Sequence, residues 1–173
     1  MIKVLKSKRE NKPIYIKGTI SQKSYIKFRR QINNRLNRDK TSPIDITLYS
    51  EGGDAYAALA YFDFIRSLDV NVRINGEGIV ASAAVLILAA GDKRTLTKSA
   101  WVMCHEDLPE LEEARVTQLE RDIAHSRRLE NQWNDLLAFE TKVDAKEWAR
   151  IHKQETYLSA EECLKLGLID EVI

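Results

Sequence analysis

Short apolar runs rich in β-branched residues alternate along the chain with segments whose apolar residues recur every three or four positions. The first pattern is typical of strands and the second of helices. Strands are predicted at 14–16, 44–49, 69–74, 93–96, 100–104 and 168–173, and helices at 21–37, 55–68, 79–90, 111–142, 145–152 and 159–166. Because the two kinds of element alternate, the pattern predicts an α/β fold with a largely parallel sheet covered by helices.

Capping and turn residues support several of these boundaries. Ser21 can cap the first helix. Ser159 and Glu162 have the spacing of a capping box at the start of the last helix, and Gly167 marks the end of that helix. Gly76 and Gly78 flank a predicted bend, so the apolar run 79–90 is interpreted as a buried helix that begins after it. That run is too short to span a bilayer.

The domain organisation is predicted to be simple. Residues 1–13 form a short basic segment, and 14–173 form a single domain. Within that domain 111–142 is a long helix without Gly or Pro, expected to project as an arm. Its apolar stripe is longer than a domain of this size would cover, so part of it is expected to meet another subunit. Packing entirely on its own domain is the alternative.

Charge and cysteine content narrow the class of protein. The net charge of +1 gives no reason to expect nucleic acid or a membrane surface as a partner. The N-terminus lacks the apolar stretch of a secretory signal, and the two cysteines show no metal-ligand spacing. We therefore expect a cytoplasmic protein that uses neither a metal nor another cofactor.

Three features could carry chemistry, although packing explains each one taken alone. Gly52-Gly53 follows a strand and precedes a helix, which is also an ordinary place for a tight turn. Ser82 lies among small residues at the start of a buried helix, where it could act as a nucleophile or simply bond to the preceding turn. His105 ends a predicted strand and has the residue type that most often serves as a general base.

The other two histidines and Cys104 give weaker signals than His105. His125 lies in a charged helix and is expected to be solvated, and His152 lies in a short helix of mixed charge. Cys104 alternates with its strand neighbours and is expected to pack as a small hydrophobic residue.

The order of these motifs resembles the Clp protease proteolytic-subunit family, from about Ile14 to the C-terminus. The matching segments are Ser50-Glu51-Gly52-Gly53, Gly78-Ile79-Val80-Ala81-Ser82-Ala83-Ala84, Val102-Met103-Cys104-His105, Tyr157-Leu158-Ser159-Ala160-Glu161-Glu162-Cys163 and Gly167-Leu168-Ile169-Asp170. The ending Ser82-Ala83-Ala84 is also similar to Clp-like head-maturation proteases of bacterial viruses. Any one of these segments would be a weak signal, but their common order is a strong one.

The resemblance implies a crotonase-like α/β spiral and a serine endopeptidase. It implies that Ser82 is the nucleophile, that His105 is the general base, and that the backbone amides of Gly53 and Ala83 form the oxyanion hole. It also implies a homo-oligomeric ring, a hexamer or heptamer that can stack, which encloses peptide or unfolded protein as substrate.

Three segments depart from the family pattern. The position of the family's orienting aspartate falls on Ile151, so Glu155 is taken as the third triad member. His152 is the other candidate for that role, and a Ser-His dyad without a third member is a further alternative. The resemblance implies an AAA+ unfoldase as a partner, but the segment before Ile14 is shorter than the family's, which puts its docking in doubt. The family's Gly-rich substrate-binding strand corresponds to 107–111, which contains Pro109 and no glycine.

Two other functions remain open. A non-catalytic ring subunit would explain the missing aspartate, although such a subunit usually loses the serine or the histidine. A crotonase-type acyl-CoA enzyme would share the fold and the oxyanion hole but typically relies on carboxylates near the thioester, so the pair of Ser82 and His105 argues against it.

Overall fold

The structure is a computed structural model, and it describes residues 12–106 and 115–173. Its strands are β1 (Ile14–Lys17), β2 (Ile44–Ser50), β3 (Val72–Ala81), β4 (Lys93–Leu96), β5 (Trp101–Cys104), β6 (Thr156–Ser159) and β7 (Glu171–Val172). Its helices are α1 (Gln22–Leu36), α2 (Ala55–Arg66), α3 (Ala83–Ala89), α4 (Val116–Glu140), α5 (Ala145–Lys153) and α6 (Ala160–Leu166).

The strands form one mixed sheet that is parallel at all but one pairing. β1, β2, β3, β4 and β7 lie side by side in that order, and every neighbouring pair is parallel. β5 also runs parallel to β3, and β6 is antiparallel to β5. The predicted α/β fold with a largely parallel sheet is therefore confirmed.

The long strand β3 corrects the sequence prediction, which ended a strand at residue 74 and began a helix at 79. Its first half pairs with β4, whereas Ile79 and Ala81 pair with Trp101 and Met103 of β5. Gly78 has φ +60°, so the chain can redirect there without leaving the sheet. Residues 79–81 thus pair with a second strand, Val80 and Ala81 are buried, and the helix begins only at Ala83.

The C-terminal strands also differ from the prediction. β6 was not predicted, because four residues between two helices carry too little pattern to identify a strand. β7 has two residues, since Leu168 and Ile169 instead pack into the core with exposures of 0% and 2%. As predicted, the capping box of Ser159 with Glu162 begins α6 and the left-handed Gly167 ends it.

The buried helix α3 lies at the centre of the core. All seven of its side chains are buried, and it packs against α2, α4, β2, β3 and β5. Burying apolar side chains in this way stabilises the fold by about 0.8 kcal/mol for each methylene group removed from water. The core therefore supports the residue that precedes this helix, Ser82.

Helix α4 contacts the domain mainly through its second half. Its buried residues are Leu129, Asn134 and Leu137, whereas Val116 at its start is 71% exposed. The predicted first residues of the helix, 111–114, lie outside the described residues. Over the described ranges, no helix has the length and apolar character needed to cross a membrane.

Candidate active site

Ser82 occupies a strained position at the junction of β3 and α3. Its backbone has φ 51° and ψ −124°, a conformation that costs a non-glycine residue energy. Its amide donates to the carbonyl of Met103 at 2.8 Å, and its carbonyl accepts from Val85. A strained strand-to-helix turn of this kind is the usual way to present a nucleophilic serine.

The Gly52-Gly53 turn lies directly against Ser82. Both glycines have positive φ, +102° and +142°. A Cβ atom on Gly52 would lie 2.7 Å from the Cβ of Ser82 and 2.8 Å from the carbonyl oxygen of Ala81. Only glycine allows this turn to approach the serine so closely.

Main-chain and side-chain bonds hold the turn in place. The amide of Ile20 donates to the carbonyl of Gly52 at 2.8 Å, and the amide of Asp54 donates to the carbonyl of Ile20 at 2.9 Å. This short parallel bridge does not use the amide of Gly53. The buried hydroxyl of Ser50 accepts from the amide of Gly52 at 3.1 Å and donates to the carbonyl of Gly18 at 2.6 Å.

His105 follows β5 and reaches the same region because of strand pairing. Met103 pairs with Ala81, so the chain beyond Met103 continues alongside Ser82. The Nδ1 atom of His105 lies 2.6 Å from the main-chain oxygen of Glu106. A carbonyl oxygen only accepts hydrogen bonds, so Nδ1 carries the hydrogen. In the neutral ring Nε2 then has a lone pair and no hydrogen.

A cavity of about 50 Å³ brings these residues together. The turn and the serine contribute Gly53, Ser82 and Ala83, and β5 contributes His105. The remaining lining residues are Ala55, Leu129, Glu130, Trp133 and His152. Four of the five residues that the sequence assigned to the site, all except Glu155, thus line one small cavity with a mixed polar and apolar wall.

His152 is a cavity residue to which the sequence analysis gave only second place. It is buried, 5% exposed, and its Nδ1 lies 2.7 Å from Oδ1 of Asn134 on α4. Burial, and to a lesser extent the nearby His105, lower the pKa of His152 to about 4. The sequence does contain a signal: His152 lies next to apolar Ile151 and four residues after Trp148, which places it on the apolar face of the predicted helix.

The other sequence candidates lie elsewhere. Glu155 is exposed in the turn after α5, with φ +47°, and the cavity lining does not include it. His125 is exposed as expected, and its Nε2 also lies 2.5 Å from the hydroxyl of Tyr56. Cys104 is fully buried as expected, and burial raises its pKa to about 12.

The described residues contain no group of three or more histidine, cysteine, aspartate or glutamate side chains able to hold a metal ion. The polar groups of the cavity are instead a hydroxyl, two imidazoles, a carboxylate and backbone amides. Such a set suits proton transfer and attack by an oxygen nucleophile.

The fold and this cavity define an α/β protein with a serine at a strained strand-to-helix turn beside a histidine. A protein-family model described as Clp protease matches residues 1–173. The chain therefore belongs to the Clp protease family.

Individual relatives agree with this assignment. The chain is 32% identical to ATP-dependent Clp protease proteolytic subunit 2 of Treponema denticola, over 92% of this chain and 80% of that protein. It is 33% identical to the ATP-dependent Clp protease proteolytic subunit of Cyanophora paradoxa, over 79% and 71%. A solved ClpP1 mutant from Listeria monocytogenes shares the fold with a TM-score of 0.85 at 24% identity, covering 94% of this chain and 91% of that one.

Proposed function

We propose that this chain is a serine endopeptidase in which Ser82 attacks the peptide carbonyl and His105 is the general base. The observation that carries the proposal is the shared cavity, lined by Ser82, His105, Gly53 and Ala83. Membership of the Clp protease family supports the same chemistry.

The tautomer of His105 suits the role of a base. Its Nδ1–H donates to the carbonyl of Glu106, so Nε2 has a lone pair to accept the hydroxyl proton of Ser82. The Oγ–H bond then breaks as Oγ forms a bond to the substrate carbonyl carbon, and the carbonyl electrons move to its oxygen. His105 next gives the proton to the leaving amine, and water hydrolyses the acyl-enzyme by the same steps.

Backbone amides are proposed to stabilise the oxyanion. The amide of Ala83 lies at the start of α3, directly against the Gly52-Gly53 turn. A Cβ atom built on Gly52 would lie only 3.1 Å from this amide nitrogen. The bridge to Ile20 leaves the amide of Gly53 available. Each well-placed amide donor of this kind contributes about 10²–10³-fold to the rate.

We further propose that the chain works as a homo-oligomeric ring, a hexamer or heptamer. The exposed first half of α4, beginning at Val116, is the surface proposed to contact another copy. The relatives are named as subunits of an ATP-dependent protease, and an ATP-driven partner that delivers unfolded protein is proposed on that basis. Mass measurement in solution gives the number of copies.

The test is hydrolysis of short fluorogenic peptides by the purified chain. Wild type is expected to cleave at least one of a panel, and Ser82→Ala and His105→Ala are expected to abolish cleavage. Ser67→Ala is the matched control, because Ser67 is an exposed serine at the end of α2 and should leave the rate unchanged. Cleavage that survives Ser82→Ala overturns the assignment. A folded, assembled chain that cleaves nothing instead supports the non-catalytic ring subunit.

A further inference from the structure

We propose that His152, held by Asn134, is a positioning residue for His105. It would place a neutral ring in the wall of the cavity that His105 lines, where a Ser-His-Asp peptidase would use a carboxylate to orient the base. This inference rests on the proposed function, because it concerns the environment of the same base.

The first argument is location. His152 comes from α5, yet it lines the same cavity of about 50 Å³ as Ser82 and His105. The two imidazoles are close enough that a charge on His105 disfavours a charge on His152. Glu155, the acid chosen from the sequence, is exposed and is not part of the lining.

The second argument is the hydrogen-bond pattern. Asn134 is 3% exposed, and its Oδ1 lies 2.7 Å from Nδ1 of His152. An amide oxygen only accepts, so Nδ1 of His152 carries the hydrogen and Nε2 has a lone pair. Asn134 therefore fixes one neutral tautomer of His152, with Nε2 as the nitrogen without a hydrogen. The ring of Trp148 packs 5.9 Å away and restricts its rotation.

The third argument is charge. A buried histidine bonded to an amide stays neutral at neutral pH, since nothing in Asn134 compensates a positive charge. The titratable groups that share the cavity with it are His105 and Glu130. A neutral His152 does not oppose the imidazolium that His105 becomes during reaction. Because Nδ1–H of His105 is bonded to Glu106, His152 acts on it through charge across the cavity and not through a direct hydrogen bond.

The proposal predicts how three variants change the reaction of Ser82 with a fluorophosphonate. His152→Asp introduces a carboxylate and should speed labelling at neutral pH by about tenfold or more, toward the roughly 10⁴-fold that an orienting aspartate gives in Ser-His-Asp peptidases. His152→Ala should slow labelling. Asn134→Asp should favour a charged His152, which makes protonation of His105 less favourable, and so should move the acid limb of the pH–rate profile to lower pH by about one unit.

The readout is the labelling rate of folded protein as a function of pH, with folding checked by thermal unfolding. His125→Ala is the control, because His125 lies on α4 beside Tyr56 and outside the cavity lining. It should leave the rate and the pH profile unchanged.

Three results would overturn the proposal. One is an unchanged rate and pH profile in folded His152→Asp and Asn134→Asp, which would make the pair purely structural. The others are slower labelling of Glu130→Gln or of Glu155→Gln with no effect at His152, which would assign the orienting role to that acid. In each of these three cases wild-type protein is still labelled at Ser82. Absence of wild-type labelling at Ser82 would instead contradict the proposed function.

Discussion

Replacing Gly52 by alanine perturbs the contact between the glycine turn and Ser82 most directly. The new methyl group would lie 2.7 Å from the Cβ of Ser82 and 2.8 Å from the carbonyl oxygen of Ala81. Real Cβ atoms do not approach other atoms so closely, and two of the neighbours are backbone atoms, so the turn or the serine must move.

Gly18→Ala is a matched control that separates backbone strain from this clash. Gly18 also has a positive φ, +75°, but a Cβ atom there would meet nothing within 4 Å. The free energy of unfolding of the control should therefore fall only by the strain of an alanine in a left-handed conformation, about 1–2 kcal/mol. For Gly52→Ala, with φ +102°, the free energy of unfolding should fall by a similar amount plus about 1–3 kcal/mol for the overpacked contact.

Two measurements test this pair. Urea unfolding followed by tryptophan fluorescence gives the difference in stability, and fluorophosphonate labelling reports the reactivity of Ser82. A shifted turn misplaces the amide of Gly53, so labelling of Gly52→Ala should fall by about 10²-fold, while Gly18→Ala should label at the wild-type rate. Equal stability and equal labelling of the two variants would refute the described contact between turn and serine.

Three further predictions follow from buried polar groups. Ser50→Ala removes the bonds to the turn and should cost about 1–3 kcal/mol in urea unfolding, whereas an unchanged midpoint would contradict the role of its hydroxyl. Burial raises the pKa of Cys104 and of Cys163 to about 12, so Ellman's reagent at pH 8 should react only after unfolding, and prompt reaction of native protein would contradict their burial. The pKa of His152 falls from 6.5 to about 4 on folding, so the unfolded state binds more protons and stability falls as pH drops through that window, by up to about 3 kcal/mol. The stability of His152→Gln should depend less steeply on pH there, and an equal slope would contradict the shift.

Local pattern was sufficient for most of the fold. Strands 14–16, 44–49 and 93–96 and the capped helix after Ser21 were predictable because their periodicity and end signals agree. The end of β3 was not, because residues 79–81 form an apolar run that could be strand or helix. Only the distant strand β5 decides between the two.

The candidate site shows the same limit. Motif order was sufficient to select Ser82 and His105, which the structure brings to one cavity. The environment of the base was harder to predict, because Asn134 and His152 lie on different helices that meet only through tertiary packing. Counting residues along the chain fell on Ile151, and the nearby acid taken in its place, Glu155, is exposed. The packing of α4 on α5 instead brings His152 to the cavity.

The most direct test of the proposed active site is to map the fluorophosphonate adduct by tandem mass spectrometry. The account predicts one adduct for each chain, located on Ser82, and no adduct on folded Ser82→Ala. An adduct on another residue, or labelling that persists in Ser82→Ala, would contradict it.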